Sequence, residues 1–132
     1  MDFSFSGLKT GILYFIQDNK KKNENFIEDN LNDICASIQQ RIVSILLNKL
    51  KKAADQTRIK NICIAGGVSA NRGLRASFNK MGVQSGWKTF IPPFEYCTDN
   101  AGMIAITAYY KYLAGDFAEL SISPSARAEW ND

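Results

Sequence analysis

The sequence predicts an α/β fold for its 132 residues. Two short segments, 59–65 and 87–91, have the apolar composition of buried strands, and a segment with helical spacing of apolar residues follows each. The first candidate strand ends at two glycines and the second at two prolines. This strand, helix, strand, helix order is typical of α/β domains. A chain of this length fits one domain, and we find no repeat or internal boundary between residues 1 and 132.

The N-terminal half is predicted to be mainly helical. Residues 2–6 alternate apolar and polar side chains, which indicates a short strand or extended entry broken by Gly7. A helix is expected over 8–17 and an exposed, lysine-rich loop over 18–25. A long helix follows, beginning at Asn25, which has capping-box spacing to Glu28, or at Asn30. Its apolar stripe, expected in the core, comprises Leu31, Ile34, Cys35, Ile38, Ile42, Ile45, Leu46 and Leu50, and Lys49, Lys51 and Lys52 are expected in its last turns.

The C-terminal half supplies the two strand-to-helix connections. After the first strand we expect a helix over 71–81, with Leu74 and Phe78 facing inward and Gly82 as its stop. After the second strand we expect a helix that Thr98 caps and that ends near Gly115. The tail from residue 120 is expected to be irregular.

The composition excludes several classes of protein. Cys35, Cys63 and Cys97 are far apart and odd in number, so we expect reduced thiols in a cytoplasmic protein and no disulfide framework. The sequence contains no histidine, so a Ser-His-Asp or Cys-His mechanism cannot operate from this chain alone. A metal site would need carboxylates or residues from elsewhere. No apolar run reaches the length of a membrane span, and the net charge of +3 is too small to indicate nucleic acid by itself.

The most informative segment is residues 64–72 (IAGGVSANR), within which we call residues 66–71, Gly66-Gly67-Val68-Ser69-Ala70-Asn71, the glycine turn. Paired glycines let a backbone approach a ligand closely. The following helix directs its free N–H groups and positive dipole end towards the same space, which suits a nucleotide or another phosphate-bearing ligand. The amide of Asn71 suits a ribose or an adenine edge. The alternatives are a tight strand-to-helix connection and a helix N-cap at Asn71.

Two further segments could contribute to such a site. Asp99 follows the second strand at the start of a helix, and strand ends of open α/β sheets are where ligands bind. A carboxylate that merely offsets the helix dipole is the alternative. Near the N-terminus, Ser6 and Lys9 could contact an anion, although the spacing of a Walker motif is absent. Arg72 and Arg75 could contact nucleic-acid phosphates or lie on an exposed helix face.

Three segments together resemble the TsaD family of tRNA adenosine threonylcarbamoyltransferases, formerly called glycoproteases or O-sialoglycoprotein endopeptidases. They are the segment 2–10 (DFSFSGLKT), the segment 65–72 (AGGVSANR) and the segment 97–105 (CTDNAGMIA). The similarity covers nearly the whole chain, including the closing segment 125–130. The resemblance implies part of an actin-like, Hsp70-type ATPase fold, namely a fragment of its C-terminal lobe.

The resemblance also implies an activity and a set of site residues. The activity is transfer of a threonylcarbamoyl group from threonylcarbamoyl-adenylate to the amino group of a tRNA adenosine beside the anticodon. Asn71 matches the family's nucleotide- or substrate-contacting asparagine, Gly66 and Gly67 match the backbone that lines the nucleotide, and Asp99 matches a metal-ligand aspartate. The implied cofactors are ATP or the adenylate and one divalent iron or zinc ion. The implied partners are tRNA, a TsaB-like paralogue and a TsaE-like ATPase.

The chain also departs from the family pattern. Family members are more than twice as long, and the N-terminal lobe with its metal-binding histidine pair has no counterpart in this sequence. We therefore expect the chain alone to be inactive, to have an incomplete metal site and to form a dimer that covers exposed strand edges. No catalytic residue is assigned. The alternatives are an interaction module of the same fold, a metalloprotease, which the absence of histidine disfavours, and another actin-like ATPase such as a sugar kinase.

Overall fold

The computed structural model describes residues 5–123. The elements in chain order are helix α1 (Phe5–Lys20), helix α2 (Phe26–Thr57), strand β1 (Asn61–Cys63), helix α3 (Arg72–Ser85), strand β2 (Lys88–Phe90) and helix α4 (Ala101–Leu113). Short 3₁₀ turns cover Gly67–Ala70 and Phe94–Tyr96. The described residues form two compact units, of which the first ends at Cys97 and the second begins at Thr98.

The first unit contains a parallel pair of strands, which confirms the predicted α/β character. Strand β1 pairs with β2 so that Ile62 lies opposite Thr89, and the N–H of Ile64 donates to the carbonyl of Phe90 at 3.1 Å beyond the strand end. Helix α3 connects the two strands. Side chains from α2, β1 and α3 form one buried cluster, which consists of Val43, Leu47, Ala54, Ile62, Leu74 and Phe78. The inward positions predicted for Leu74 and Phe78 are confirmed.

The start of the chain differs from the sequence prediction. Helix α1 already includes Phe5 and Ser6 and passes through Gly7, so Gly7 does not break the element, and residues 1–4 lie outside the described range. The helix also continues to Lys20, beyond the predicted end. Packing against α2 explains both differences, since a single internal glycine costs only about 1 kcal/mol. The alternation of residues 2–6 therefore did not indicate strand structure at positions 5 and 6.

Helix α2 begins at the first of the two predicted starts, extends further than predicted at its C-terminal end and is interrupted near its start. Asn25 occupies the N-cap position, but its side chain makes no capping hydrogen bond, so the predicted capping box is wrong. Asn30 has non-helical angles (φ −124°, ψ 16°), and its side-chain amide donates to the carbonyl of Phe26 at 2.9 Å. Because the helix continues to Thr57, its last turn contains no basic residue, and the predicted place of the three lysines was wrong.

The buried stripe of α2 also differs from the predicted one. Leu31 is 53% exposed and Cys35 is exposed, whereas Val43 and Leu47 are buried. Leu46 and Leu50 are half-buried against the core. The N-terminal part of α2 lies along α1, where the rings of Phe15 and Phe26 meet edge to face at 5.9 Å, rather than over the sheet. Helical spacing alone does not distinguish these two surroundings.

Helix α3 ends and helix α4 begins at residues other than those predicted. Helix α3 passes through Gly82 and ends at Gly86, whose φ of 65° is left-handed. Asn100, not Thr98, caps α4, because the N–H of Met103 donates to its side-chain oxygen at 3.0 Å. Both strands are shorter than predicted. Within residues 5–123, no helix is long and apolar enough to cross a membrane.

Candidate functional site

The glycine turn has a backbone conformation that requires glycine at its first position. Gly66 has φ 81° and ψ 173°, a region that side chains with a Cβ rarely adopt. The carbonyl of Gly66 accepts two hydrogen bonds from Ser69, one from its N–H at 2.9 Å and one from its hydroxyl at 2.7 Å. Ser69 is 1% exposed. The turn is therefore closed by its own hydrogen bonds and anchored in the interior.

Asn71 is the N-cap of helix α3. This was one of the two roles predicted for it, the other being contact with a ligand. Its side-chain oxygen accepts from the N–H of Leu74 at 2.9 Å. Its side-chain nitrogen donates to the side-chain oxygen of Gln39, on α2, at 3.2 Å. Gln39 was not predicted to lie here, because 32 residues separate it from Asn71 and no spacing rule connects the two. Gly73 lies at the same place, and a Cβ built on it would be 3.0 Å from the side-chain nitrogen of Gln39.

A cavity of about 930 Å³ lies beside the glycine turn in the first unit. Of the predicted site residues, Gly67 and Asn71 line this cavity and Gly66 does not, and the two lysines Lys9 and Lys49 also line it. Gly66 forms the backbone bend that immediately precedes Gly67. The walls are mostly apolar side chains of α2 and of the segment after β1, among them Ile42, Leu46, Leu50, Ile64, Ala65 and Val68. A largely apolar cavity with a few polar groups at one side is typical of ligand sites.

Arg75 connects the glycine turn to residues 92–97, which we call the post-strand segment. Its Nε donates to the carbonyl of Ser69 at 2.7 Å, and its Nη2 donates to the carbonyl of Pro92 and contacts Sγ of Cys97 at 3.2 Å. The guanidinium carbon lies 4.1 Å from the centre of the Phe94 ring. Neither alternative raised for Arg75, a phosphate contact or an exposed helix face, describes this arrangement.

Asp99 belongs to the second unit, where it follows the post-strand segment and precedes α4 in the chain, and it is exposed. The structure places Gly66, Gly67 and Asn71 together in the first unit, whereas Asp99 is described with the second unit. Among residues 5–123 no group of three metal-binding side chains occurs. The described residues thus do not form a complete metal site by themselves, and a metal-ligand role for Asp99 stays a prediction.

Comparison with known proteins gives one consistent family. A family model described as "TsaD: tRNA N6-adenosine threonylcarbamoyltransferase" matches residues 1–106. A tRNA N6-adenosine threonylcarbamoyltransferase of Christiangramia forsetii is 53% identical over 127 residues, which are 96% of this chain and 37% of the relative. The same-named protein of Riemerella anatipestifer is 53% identical over 130 residues (98% and 38%), and that of Cytophaga hutchinsonii is 48% identical over 126 residues (96% and 37%).

Proposed function

Because the chain belongs to the TsaD family of tRNA N6-adenosine threonylcarbamoyltransferases, we propose that it supplies the adenylate-binding part of such an enzyme. The proposed reaction transfers a threonylcarbamoyl group from threonylcarbamoyl-adenylate to the amino group of a tRNA adenosine beside the anticodon. The observation that supports this role best is that Gly67, Val68, Ser69 and Asn71 of the glycine turn line a large, mainly apolar cavity. An adenylate offers a flat ring system for such walls and a phosphate for the polar rim.

Individual residues have distinct proposed roles in this site. Gly66 permits the bend that brings the backbone to the cavity, and Gly67 lines the cavity without a side chain between backbone and ligand. Asn71 presents its amide at the rim while it caps α3. The N-terminal end of α3 and the positive charges of Lys9 and Lys49, which also line the cavity, would favour a negative phosphate there.

The remaining features of the proposal concern the enzyme as a whole. The chain is proposed to belong to an actin-like ATPase fold and to act in the cytoplasm with tRNA, a TsaB-like paralogue and a TsaE-like ATPase. Asp99 is the residue that would contribute a ligand to a divalent iron or zinc ion, which would polarise the carbamoyl donor. Because the described residues do not complete a metal site, we assign no step of the reaction to it.

The chain spans 37–38% of the length of the first relatives it matches. We propose that transfer to tRNA also needs the region of those relatives that this chain does not match. The chain alone is then expected to bind the adenylate and not to modify tRNA. An assay of the purified chain with tRNA and threonylcarbamoyl-adenylate, analysed for modified adenosine by mass spectrometry, tests this expectation.

A chimera with the Riemerella anatipestifer protein tests the function itself. The matched 130 residues of that protein are replaced by this chain, and tRNA modification is measured beside the unaltered relative. We expect the chimera to modify tRNA and the same chimera with Gly66→Val to lose most of that activity. A chimera that folds, as judged by its circular dichroism and melting temperature, but leaves tRNA unmodified would support an interaction module instead.

A further inference from the structure

Arg75 is the one described side chain whose hydrogen bonds join the glycine turn directly to the post-strand segment. The two segments follow different strands, β1 and β2. Arg75 lies 17 residues before Pro92 and 22 residues before Cys97 in the chain. Ser69, the contact on the turn side, is also the residue that closes the turn by binding the carbonyl of Gly66. A displacement of either segment therefore acts on the other through one side chain.

The shape of the guanidinium group suits this position. Its planar fork lets Nε and Nη2 donate in two directions at once, while its face stacks over the Phe94 ring at 4.1 Å. A lysine keeps the positive charge but has a single nitrogen, which cannot reach Ser69 and Pro92 and also cover the ring. The side chain is partly buried, so these bonds are shielded from competing water.

We infer that Arg75 is a positioning residue, which sets the glycine turn for adenylate binding by fixing it to the post-strand segment. The inference rests on the proposed function, because the adenylate is the ligand that the turn would hold. Its consequence is reciprocal coupling between two sites. If adenylate binding stabilises the closed post-strand segment through Arg75, then opening that segment weakens adenylate binding by the same coupling free energy.

Cys97 reports on the post-strand segment. Its thiol is 2% exposed and contacts Arg75, whereas Cys35 and Cys63 are exposed. The rate at which iodoacetamide labels Cys97, followed by peptide mass spectrometry, therefore measures how often the segment opens. The exposed Cys63 serves as an internal reference in the same molecule. Hydrogen exchange of the Ser69 amide, which donates to the carbonyl of Gly66, reports on the turn side.

The test compares Arg75→Lys with the unaltered chain and with Lys80→Met, which removes one charge from an exposed position of the same helix. In Arg75→Lys we expect Cys97 labelling and Ser69 exchange to rise together by about tenfold, the effect of losing one charged hydrogen bond. Lys80→Met should change neither rate. In Arg75→Ala, added methylguanidinium should restore slow labelling, and methylammonium at the same concentration should not. A rise at one reporter alone, or at neither, overturns the inference.

ATP then separates this inference from the proposed function. In the unaltered chain, ATP should slow Cys97 labelling without altering the labelling of Cys63, which is exposed and lies outside the cavity lining. Arg75→Lys should abolish that protection and weaken ATP binding. If ATP binds to the unaltered chain, as measured by calorimetry, but leaves Cys97 labelling unchanged, the coupling through Arg75 is wrong. If the unaltered chain binds no ATP while both reporters still respond to Arg75→Lys, the proposed adenylate site is wrong and the positioning contact itself is upheld.

Discussion

Asn71 combines a structural contact and a proposed binding role in one side chain. Its oxygen caps α3 through the N–H of Leu74, and its nitrogen donates to Gln39 on α2. A substitution that removes both contacts would lower stability and binding together and could not separate them. Serine separates them, because its hydroxyl is also a preferred N-cap acceptor but cannot replace the amide.

We therefore predict different outcomes for two substitutions at this position. Asn71→Ala should lower the free energy of unfolding by about 1 kcal/mol, the usual cost of losing an N-cap, whereas Asn71→Ser should lose only a few tenths. Both should weaken ATP binding if the amide contacts the nucleotide. Urea denaturation and calorimetric titration give the two quantities, and full ATP affinity in Asn71→Ser would remove the amide from the site.

The contact between α3 and β2 depends on the absence of a side chain at Gly82. A Cβ built on Gly82 would lie 2.4 Å from Cγ2 of Thr89, which is closer than real carbon atoms approach. Gly82 is buried within α3, and the atom that a Cβ would meet belongs to a β-branched side chain with few rotamers. The same Thr89 donates from its hydroxyl to the side-chain oxygen of Asn79 at 3.2 Å, which restricts its rotation.

Gly82→Ala should therefore destabilise the chain by roughly 1–3 kcal/mol, the range for overpacking a core. Thr89→Ser removes the clashing methyl group and keeps the hydroxyl, so the double variant should recover most of the loss. Gly11→Ala serves as the control, because a Cβ there meets nothing within 4 Å and helix α1 should gain roughly 0.5–1 kcal/mol. Equal urea midpoints for Gly82→Ala and the unaltered chain would contradict this account of the contact.

For the helices and strands, the sequence predicted the type of most elements but not the residues at which they begin and end. The period of Leu74 and Phe78 and the breaks after both strands were sufficient to place α3 between two strands, which the structure shows to be parallel. The ends depend on information outside the local pattern. Gly82 resembled a helix stop but is a packing position, and Asn100 rather than Thr98 received the cap hydrogen bond.

The backbone bend of the candidate site could be predicted from the sequence, whereas the side-chain contacts that hold the site in place could not. A strand followed by paired glycines indicated the bend at Gly66, because few other residues adopt that φ. Gln39 and Arg75 act through tertiary contacts that join distant segments. No local propensity encodes such contacts, so only the folded chain reveals them.

The molecule as a whole presents features that favour self-association. The sheet in the described residues has two strands, so each has one edge outside the β1–β2 ladder. Helix α1 exposes Leu13, Tyr14 and Phe15, each more than half accessible. We expect the purified chain to form dimers or larger species at high concentration. Light scattering across a dilution series measures this, and a constant monomer mass would contradict the expectation.

The central claim is that the glycine turn holds an adenylate, and calorimetric titration of the chain with ATP tests it most directly. Gly66→Ala places a Cβ at φ 81° and ψ 173°, a backbone region that is essentially restricted to glycine. Gly86→Ala places one at φ 65° and ψ 35°, the left-handed helical region, which costs roughly 1–2 kcal/mol, so it controls for milder backbone strain at a position outside the cavity lining. We predict saturable ATP binding by the unaltered chain, retained in Gly86→Ala and reduced at least about tenfold in Gly66→Ala. Equal affinity in all three proteins, or no binding by the unaltered chain, would contradict the claim.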